Sequence, residues 1–220
     1  MLKEIFNPYR KDSLIYNLRR KRFAFFLRLL KNQKRPLKLL DVGGFEAYWK
    51  AMGMENLSNI HFTMLNLQVS KTEQPTFVSL AGDARSMPQF ANESFDVVYS
   101  NSVIEHVGNA HDQQAMADEV RRLGKSYFVQ TPNYFFPIEP HFLFPFFQFL
   151  PEAIRVYLHL NFDLGHMKKA KNREEAISTI YHTRLLTESE MVKMFPGCKV
   201  YKEMFLGFTK SIIVYNGFDS

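Results

Sequence analysis

The chain has 220 residues, 46% of them hydrophobic and 23% charged, a balance that is typical of one globular domain and excludes general disorder. Its single cysteine, Cys198, excludes an intramolecular disulfide and a cysteine-rich zinc site. The net charge of +6 is compatible with nucleic acid, anionic lipid or a phosphorylated substrate as a partner.

Much of the positive charge lies near the N-terminus. Residues 13–32 mix apolar and basic side chains at helical spacing, which predicts an amphipathic helix within an N-terminal helical cap of residues 1–35. These cations either contact an anionic partner or form a solvated helix face. The chain shows no signal peptide and no run approaching the about 18 apolar residues of a membrane span. We therefore expect a cytoplasmic protein without a transmembrane segment.

Apolar strands and amphipathic helices alternate after this cap. Strands are predicted at 37–42, 59–67, 77–81, 95–100 and 126–130, helices at 46–52, 110–123 and 187–195, and a closing hairpin at 199–205 and 208–215. The last helix opens with Thr187-x-x-Glu190, which predicts a capping box. This order indicates an α/β sheet that is mostly parallel and has an antiparallel edge.

Residues 134–185 interrupt the alternation with a stretch rich in phenylalanine and proline. Four prolines between 137 and 151 prevent a regular helix or strand throughout. We predict that this segment is an insertion or lid on the substrate side of a single domain spanning residues 1–220.

Small or polar residues follow each of the first four strands. In a parallel sheet these carboxyl ends share one edge, where ligands bind. Glycine after the first strand lets the backbone approach a ligand closely. A nucleoside needs this combination of polar side chains and exposed backbone. The four strand ends are Asp41-Val-Gly43-Gly44, Asn66-Leu67, Gly82-Asp83-Ala84 and Asn101-Ser102.

Three motifs in this order resemble the class I S-adenosylmethionine-dependent methyltransferases, and most closely the small-molecule branch called methyltransferase type 11. They are Asp41-Val-Gly-Gly44, Gly82-Asp-Ala-Arg-Ser-Met-Pro88 and the run from Ser94 to Val107. The resemblance implies a Rossmann-like class I methyltransferase fold, with a mostly parallel seven-stranded sheet, an antiparallel terminal hairpin and helices on both faces. It implies S-adenosyl-L-methionine as cofactor and S-adenosyl-L-homocysteine as product.

The resemblance also implies which residues contact the cofactor. The first motif would lie around the methionine moiety, the second strand end at the ribose, the third at the adenine and the fourth again beside the methionine part. The implied contacts are Asp41, Gly43, Gly44, Asn66, Leu67, Asp83, Ala84, Asn101 and Ser102.

Two departures from the family pattern stand out. Phe45 and Ala47 replace glycines of the first motif, and Asn66 replaces an acidic residue, so its hydrogen bond to ribose would lack charge assistance. A nicotinamide dinucleotide is a poorer match, because the chain lacks G-x-G-x-x-G and an acid at the second strand end.

Glu139-Pro140-His141 carries the only acid and histidine of a strongly apolar stretch. We hypothesise that His141 or Glu139 orients or deprotonates the methyl acceptor, with His106 next in line. The alternative is a structural pair of Glu139 and His141 that holds the lid. No metal site is predicted, because the remaining histidines and Asp163 show no ligand spacing.

The sequence thus predicts methyl transfer to an oxygen or nitrogen of a partly apolar small molecule, such as a natural-product intermediate or a sugar-containing acceptor. One alternative is a nucleic-acid methyltransferase that uses the basic helix, although Asn101-Ser-Val-Ile is not the Asn/Asp-Pro-Pro-aromatic motif of amino-directed enzymes. Another is a non-catalytic module that binds the cofactor or a membrane surface. The acceptor and the oligomeric state stay open.

Overall fold

The computed structural model describes residues 14–33, 35–54 and 59–218. Residues 1–13 and 34 of the predicted N-terminal cap lie outside the described residues. The helices are Leu14–Leu30 (α1), Glu46–Ala51 (α2), Ala110–Leu123 (α3), Glu152–Asn161 (α4), Arg173–Tyr181 (α5) and Glu188–Met194 (α6). The strands are Leu37–Val42 (β1), Ile60–Asn66 (β2), Phe77–Ala81 (β3), Phe95–Asn101 (β4), Gly124–Pro132 (β5), Ile138–Glu139 (β6), Phe144–Pro145 (β7), Lys199–Phe205 (β8) and Phe208–Asn216 (β9).

Seven of the strands form one sheet in the order β3-β2-β1-β4-β5-β9-β8. Strands β1 to β5 pair in parallel, whereas β9 runs antiparallel to both of its neighbours, β5 and β8. The predicted mostly parallel sheet with an antiparallel terminal hairpin is confirmed. The chain reverses its direction of winding between β1 and β4, and in such sheets a crevice for ligands opens at the carboxyl ends of these strands.

Helices cover both faces of the sheet, as predicted. Successive side chains of a strand point to opposite faces. Leu39 therefore packs in one core with α1 and with Trp49 of α2, whereas Leu40 packs in a second core with Met116 of α3 and Met191 of α6. Burial on both faces explains why β1 reads as a nearly continuous apolar run.

The predicted capping box at the start of α6 is confirmed. Thr187 accepts a hydrogen bond from the backbone N–H of Glu190, whose carboxylate accepts one from the backbone N–H of Thr187. Among the described residues, no helix is both long enough and apolar enough to cross a bilayer.

Residues 134–185 contain the small antiparallel pair β6 and β7 and the helices α4 and α5. The sequence analysis did not single out these elements, because it treated the whole segment as one insertion, although its prolines all lie between 137 and 151. The segment has an apolar core of its own. Its buried members are Phe142, Phe147, Val156, Leu164, Ala170, Ala176 and Ile180.

Candidate active site

A cavity of about 400 Å³ opens at the carboxyl ends of β1, β2, β3 and β4, and we call it the strand-end cavity. The register of the parallel strands aligns these ends: Val42 pairs with Leu65 on one side and Ser100 on the other. The structure therefore brings four separate strand ends to one concave surface. Six of the nine residues predicted to contact a cofactor line it: Gly43, Asn66, Leu67, Asp83, Ala84 and Ser102.

Asp41 lies beneath the turn after β1, outside the described lining of this cavity. Its side chain is 1% exposed and accepts a hydrogen bond of 2.7 Å from Trp49 Nε1. Burial raises the pKa of Asp41 to about 7, although the Trp49 hydrogen bond lowers it. A Cβ on residue 44 would lie 1.6 Å from Asp41 Oδ2, so only a glycine at 44 leaves room for the carboxylate. Asp41 and Gly44 therefore support the turn from below.

Gly43 and Asn66 form the adjoining wall. Gly43 has a φ of +81°, and a Cβ there would lie 2.3 Å from Val103 Cγ2. Both the conformation and the space thus require glycine. Asn66 Nδ2 donates a hydrogen bond of 2.7 Å to the carbonyl oxygen of Gly44. This bond fixes the Asn66 amide group at the mouth of the turn.

Asp83 provides a carboxylate to the same cavity from the end of β3, the strand next to β2. Its Oδ2 lies 2.6 Å from Arg85 Nη2, and hydrogen bonds from Arg85 hold the pKa of Asp83 below its usual value. Asp83 is therefore ionised at neutral pH and can accept a hydrogen bond from an exocyclic amine. Leu67 adds apolar surface at the rim, where it is 81% exposed. A carboxylate, an amide and an apolar side chain around a glycine turn fit a nucleoside.

A second cavity, of about 380 Å³, adjoins the first at Ser102, which lines both. We call it the lid cavity, because Phe136 and Ile138 of residues 134–185 form one of its walls. Asn101 lies in the lining of this cavity, together with Gln130 of β5. Its other walls come from α1 and from the β8–β9 hairpin.

Arg22 of α1 connects these walls. It is 4% exposed and forms a bidentate ion pair with Glu203, with Nε 2.8 Å from Oε1 and Nη2 2.7 Å from Oε2. Its Nη1 donates to Asn101 Oδ1 and, at 2.8 Å, to Gln130 Oε1. Ser102 Oγ donates to the same Gln130 oxygen at 2.9 Å. Arg22 thus holds the end of β4 in place.

The sequence analysis counted Arg22 among cations that face solvent or an anionic partner, and for this residue that interpretation is wrong. Leu18, Arg22 and Phe26 follow each other at i, i+4 and i+8, so Arg22 lies on the apolar stripe of α1. This spacing in the sequence could have predicted that Arg22 is buried. Helical spacing could not predict that Glu203 is its partner, because Glu203 lies 181 residues further along the chain.

Lys210 also lines the lid cavity, and sequence reasoning missed it. Burial and the positive charge of Arg22 together lower its pKa to about 8, although the negative charge of Glu203 raises it. Both oxygens of Glu203 are already engaged by Arg22. The lid cavity therefore has a cationic end within a mostly apolar wall.

Glu139, His141 and His106 lie together between the lid and β4. Glu139 Oε1 is 2.7 Å from His141 Nδ1, and its Oε2 accepts the backbone N–H groups of His141 and Phe142. His141 Nε2 lies 3.3 Å from His106 Nε2, and His106 Nδ1 lies 3.3 Å from Thr183 Oγ1. His106 lines the strand-end cavity. The structure therefore brings the three residues proposed for catalysis into one chain of polar contacts.

The surroundings of these residues shift their pKa values. Burial, together with the neighbouring His141 and His182, lowers the pKa of His106 to about 4. Burial alone would lower the pKa of His141, but the hydrogen bond and charge of Glu139 raise it above its usual value. Glu105 lies beside them, fully buried, with a pKa raised to about 7 by that burial.

Comparison with known proteins finds one matching family model. Residues 42–127 match the family model described as a methyltransferase domain. Residues 42–127 thus carry a methyltransferase domain. Two curated, uncharacterized proteins of Mycobacterium tuberculosis are each 36% identical to it over 69 residues, which is 31% of this chain and 24% of each relative. The chain thus spans about a quarter of the length of these curated relatives.

Solved structures share the methyltransferase fold at low identity. The CurJ carbon methyltransferase is 10% identical with a TM-score of 0.56, and the match covers 98% of this chain and 57% of the CurJ chain. A phosphoethanolamine N-methyltransferase of Haemonchus contortus, in complex with phosphomonomethylethanolamine and S-adenosylhomocysteine, is 15% identical with a TM-score of 0.52, covering 83% and 38%. A S-adenosylmethionine-dependent methyltransferase of Methanosarcina mazei is 13% identical with a TM-score of 0.51, covering 86% and 95%. The predicted family, S-adenosylmethionine-dependent class I methyltransferases, and its fold are confirmed.

Proposed function

We propose that this protein transfers a methyl group from S-adenosyl-L-methionine to an oxygen or nitrogen atom of a small molecule. The observation that carries the proposal is the pair of cavities that adjoin at Ser102. Group transfer requires two ligands with their reacting atoms about 3–3.5 Å apart. Two adjoining cavities of about 400 and 380 Å³ can hold a nucleoside cofactor and a small acceptor in that relation.

The strand-end cavity fits the cofactor. Asp83 would accept a hydrogen bond from the adenine amine, and the Asn66 amide would bind the ribose. The turn at Gly43 would let the backbone approach the methionine part, while Asp41 and Gly44 support that turn from below. When bound, the cofactor supplies an electrophilic methyl group on a sulfonium sulfur. The protein residues bind, orient and shield the two reactants.

The lid cavity indicates the class of acceptor. Phe136, Ile138 and Phe205 give it apolar walls, whereas Lys210 gives it a cation whose pKa is lowered by burial. A desolvated cation is most favourable with an anion beside it. The acceptor we propose is therefore a partly apolar small molecule with a carboxylate or phosphate group, such as an acidic natural-product intermediate or sugar derivative.

His141, Glu139 and His106 remain the proposed catalytic residues. Glu139 anchors the lid backbone and orients the His141 ring at the same time, so the structural and catalytic interpretations of this pair are compatible. We expect His141→Ala to lower turnover at least tenfold through loss of acceptor positioning. Unchanged turnover with an identified acceptor would remove His141 from catalysis.

The alternative of a nucleic-acid substrate has less support. Arg22 is withdrawn from the basic surface of α1 by its pairing with Glu203. Phosphate contacts from exposed cations would also make binding strongly dependent on salt. Retention of labelled RNA or DNA that weakens steeply between 50 and 200 mM salt would favour this alternative.

The proposed function is tested in two steps. Calorimetry with S-adenosylhomocysteine measures cofactor binding, with Asp83→Ala as the variant expected to weaken it. Labelled S-adenosylmethionine is then incubated with the protein and a cell extract divided into low-molecular-mass and nucleic-acid fractions. Label in an acidic small molecule supports the proposal. Label only in nucleic acid, or no cofactor binding at millimolar concentration, contradicts it.

A further inference from the structure

Glu105, His106 and His141 form a cluster whose potential ligand atoms, one from each residue, lie within 4.8 Å of one another. We propose that this cluster binds a divalent transition metal ion of the zinc class. The sequence analysis predicted no metal, because it searched for ligand spacing along the chain. The topology supplies the cluster instead, with two ligands from the turn after β4 and the third from the lid.

The distance between the two histidines matches a tetrahedral site. With bonds of 2.0–2.1 Å, two nitrogen ligands of a tetrahedral zinc ion lie about 3.3–3.4 Å apart. His106 Nε2 and His141 Nε2 lie 3.3 Å apart. The two ring planes are nearly perpendicular, at 87°. The two Nε2 atoms therefore have the separation that two ligands of one ion require.

Glu105 supplies independent support. The residue is fully buried, and its Oε2 accepts a hydrogen bond of 3.0 Å from Thr131 Oγ1. Its Oε1 is buried without a hydrogen-bond partner among the described residues. An unpartnered buried carboxylate oxygen costs about 1–3 kcal/mol or more, so such atoms are rare in native proteins. A metal ion would provide the missing partner.

Further residues hold the ligands in place. Glu139 contacts His141 Nδ1 at 2.7 Å, which leaves Nε2 free to bind a metal, as in carboxylate–histidine–zinc arrangements. Thr183 contacts His106 Nδ1 and has the same effect on the other ring. Each of the two histidines thus has a partner on Nδ1, the nitrogen outside the contact between the rings.

The ligand set selects the class of ion. Two imidazoles and one carboxylate suit zinc and the neighbouring transition metals, whereas magnesium and calcium prefer oxygen ligands. Three protein ligands leave a fourth position open. His106 lines the strand-end cavity, and Pro140, next to His141, lines the lid cavity. The ion would lie where the cavities meet, and its open position could bind an acceptor oxygen.

A metal-free hydrogen bond between the two Nε2 atoms is the competing interpretation. It needs one ring to carry its proton on Nε2 and the other on Nδ1, and it leaves Glu105 Oε1 unpartnered. The two interpretations differ in a direct measurement. Only the metal site predicts saturable binding of a divalent ion that requires both histidines.

The experiment uses the full chain after removal of metals by chelation. Cobalt(II) is titrated while its visible absorption is recorded, because tetrahedral cobalt gives an intense band, and zinc is then added as a competitor. We expect one equivalent of cobalt to bind and to be displaced by zinc. The variant His141→Gln should weaken binding more than 100-fold, and Thr183→Val, which removes an outer partner, about tenfold.

His61 is an exposed histidine of β2. The variant His61→Gln is therefore the matched control and should bind cobalt as the wild type does. His106→Gln provides a second test, should the lid variant lose its fold by circular dichroism. Absence of the band in the wild type, or equal cobalt affinity in both ligand variants and in the control, would overturn the proposal. These readouts need neither S-adenosylmethionine nor an acceptor, so they are independent of the proposed function.

Discussion

Arg22 of α1 and Glu203 of β8 form a buried bidentate ion pair across 181 residues of sequence. The pair joins the first described helix to the edge strand of the sheet. The same guanidinium also holds Asn101 and Gln130 at the end of the central strands. One side chain thus connects the overall fold with the wall between the two cavities.

Removing one partner of this pair should destabilise the protein strongly. Arg22→Met leaves the Glu203 carboxylate buried without its counter-charge, and such changes cost about 3–5 kcal/mol. Urea unfolding should show that loss. Because apolar replacement of both partners is often neutral, the double variant with Glu203→Met should recover most of it. A single variant as stable as the wild type would show that the pair is not buried in solution.

The double variant also separates stability from function. It restores packing but not the hydrogen bonds of Arg22 to Asn101 and Gln130, so the end of β4 loses its support. We expect its stability to approach that of the wild type while methyl transfer falls at least tenfold. Full activity in the double variant would restrict Arg22 to a purely structural role.

Asp41 should make stability fall as pH rises toward neutrality. Its pKa is about 7 in the folded protein, because of burial, and near 3.8 in the unfolded chain. Between these values the unfolded chain releases a proton that the folded protein retains, so the free energy of unfolding decreases by up to about 1.4 kcal/mol per pH unit. Tyr48 and Tyr99 beside it have raised pKa values and stay neutral throughout.

Asp41→Asn removes this dependence and keeps an acceptor for Trp49. Its stability relative to the wild type should increase steadily between pH 4 and 7 when measured by urea unfolding. A constant difference between the two proteins over this range would show that Asp41 ionises as an ordinary carboxyl group.

Asn66 should contribute a modest share of cofactor affinity. Asn66→Ala removes the hydrogen bond to the Gly44 carbonyl and the proposed contact with ribose. A neutral hydrogen bond is worth about 1 kcal/mol, so calorimetry should show S-adenosylhomocysteine binding about fivefold weaker. Asn161→Ala is the matched control, because that side chain also donates to a backbone carbonyl, in α4. Equal affinity in both variants would place the ribose elsewhere.

Lys210 should lower the free energy of unfolding, although we propose that it binds the acceptor. Its pKa of about 8 lies below that of an exposed lysine, since burial and Arg22 disfavour its charge. Stability should therefore rise with pH between about 8 and 10.5, where the unfolded chain holds the extra proton. Lys210→Met should be more stable than the wild type at pH 7 and lose this advantage near pH 10.

The same variant tests the anionic acceptor. With an acidic acceptor, Lys210→Met should raise KM at least tenfold and leave the affinity for S-adenosylhomocysteine unchanged. Lys202→Met, an exposed lysine of the same hairpin, is the control and should change neither value. An unchanged KM in both variants would argue against an acidic group on the acceptor.

Local sequence patterns predicted the elements of the sheet closely. The apolar run at 37–42 and the helix at 110–123 appear with the same limits in the structure, because burial on two faces or on one stripe leaves a clear periodicity. The lid helices α4 and α5 were missed, since their apolar residues pack within the lid itself.

The sequence predicted those residues of the candidate site that directly follow a strand. Asn66 and Asp83 line the strand-end cavity because parallel strands place their carboxyl ends at one edge. The position of Asp41 beneath the turn was not predictable from its strand end, because its carboxylate is oriented by the indole of Trp49 in the next helix. Lys210 and Glu105 depend on contacts between distant segments, which no local spacing reveals.

The lid cavity is built from residues as far apart as Leu18 and Ser211. During synthesis the parallel strands can pair as they leave the ribosome, but the wall contributed by β8 and β9 arrives last. Until then Arg22 has no Glu203 to neutralise it, and the end of β4 has no fixed support. The lid cavity is thus complete only after β8 and β9 have joined the sheet, so a nascent chain that lacks these strands lacks one wall of this cavity.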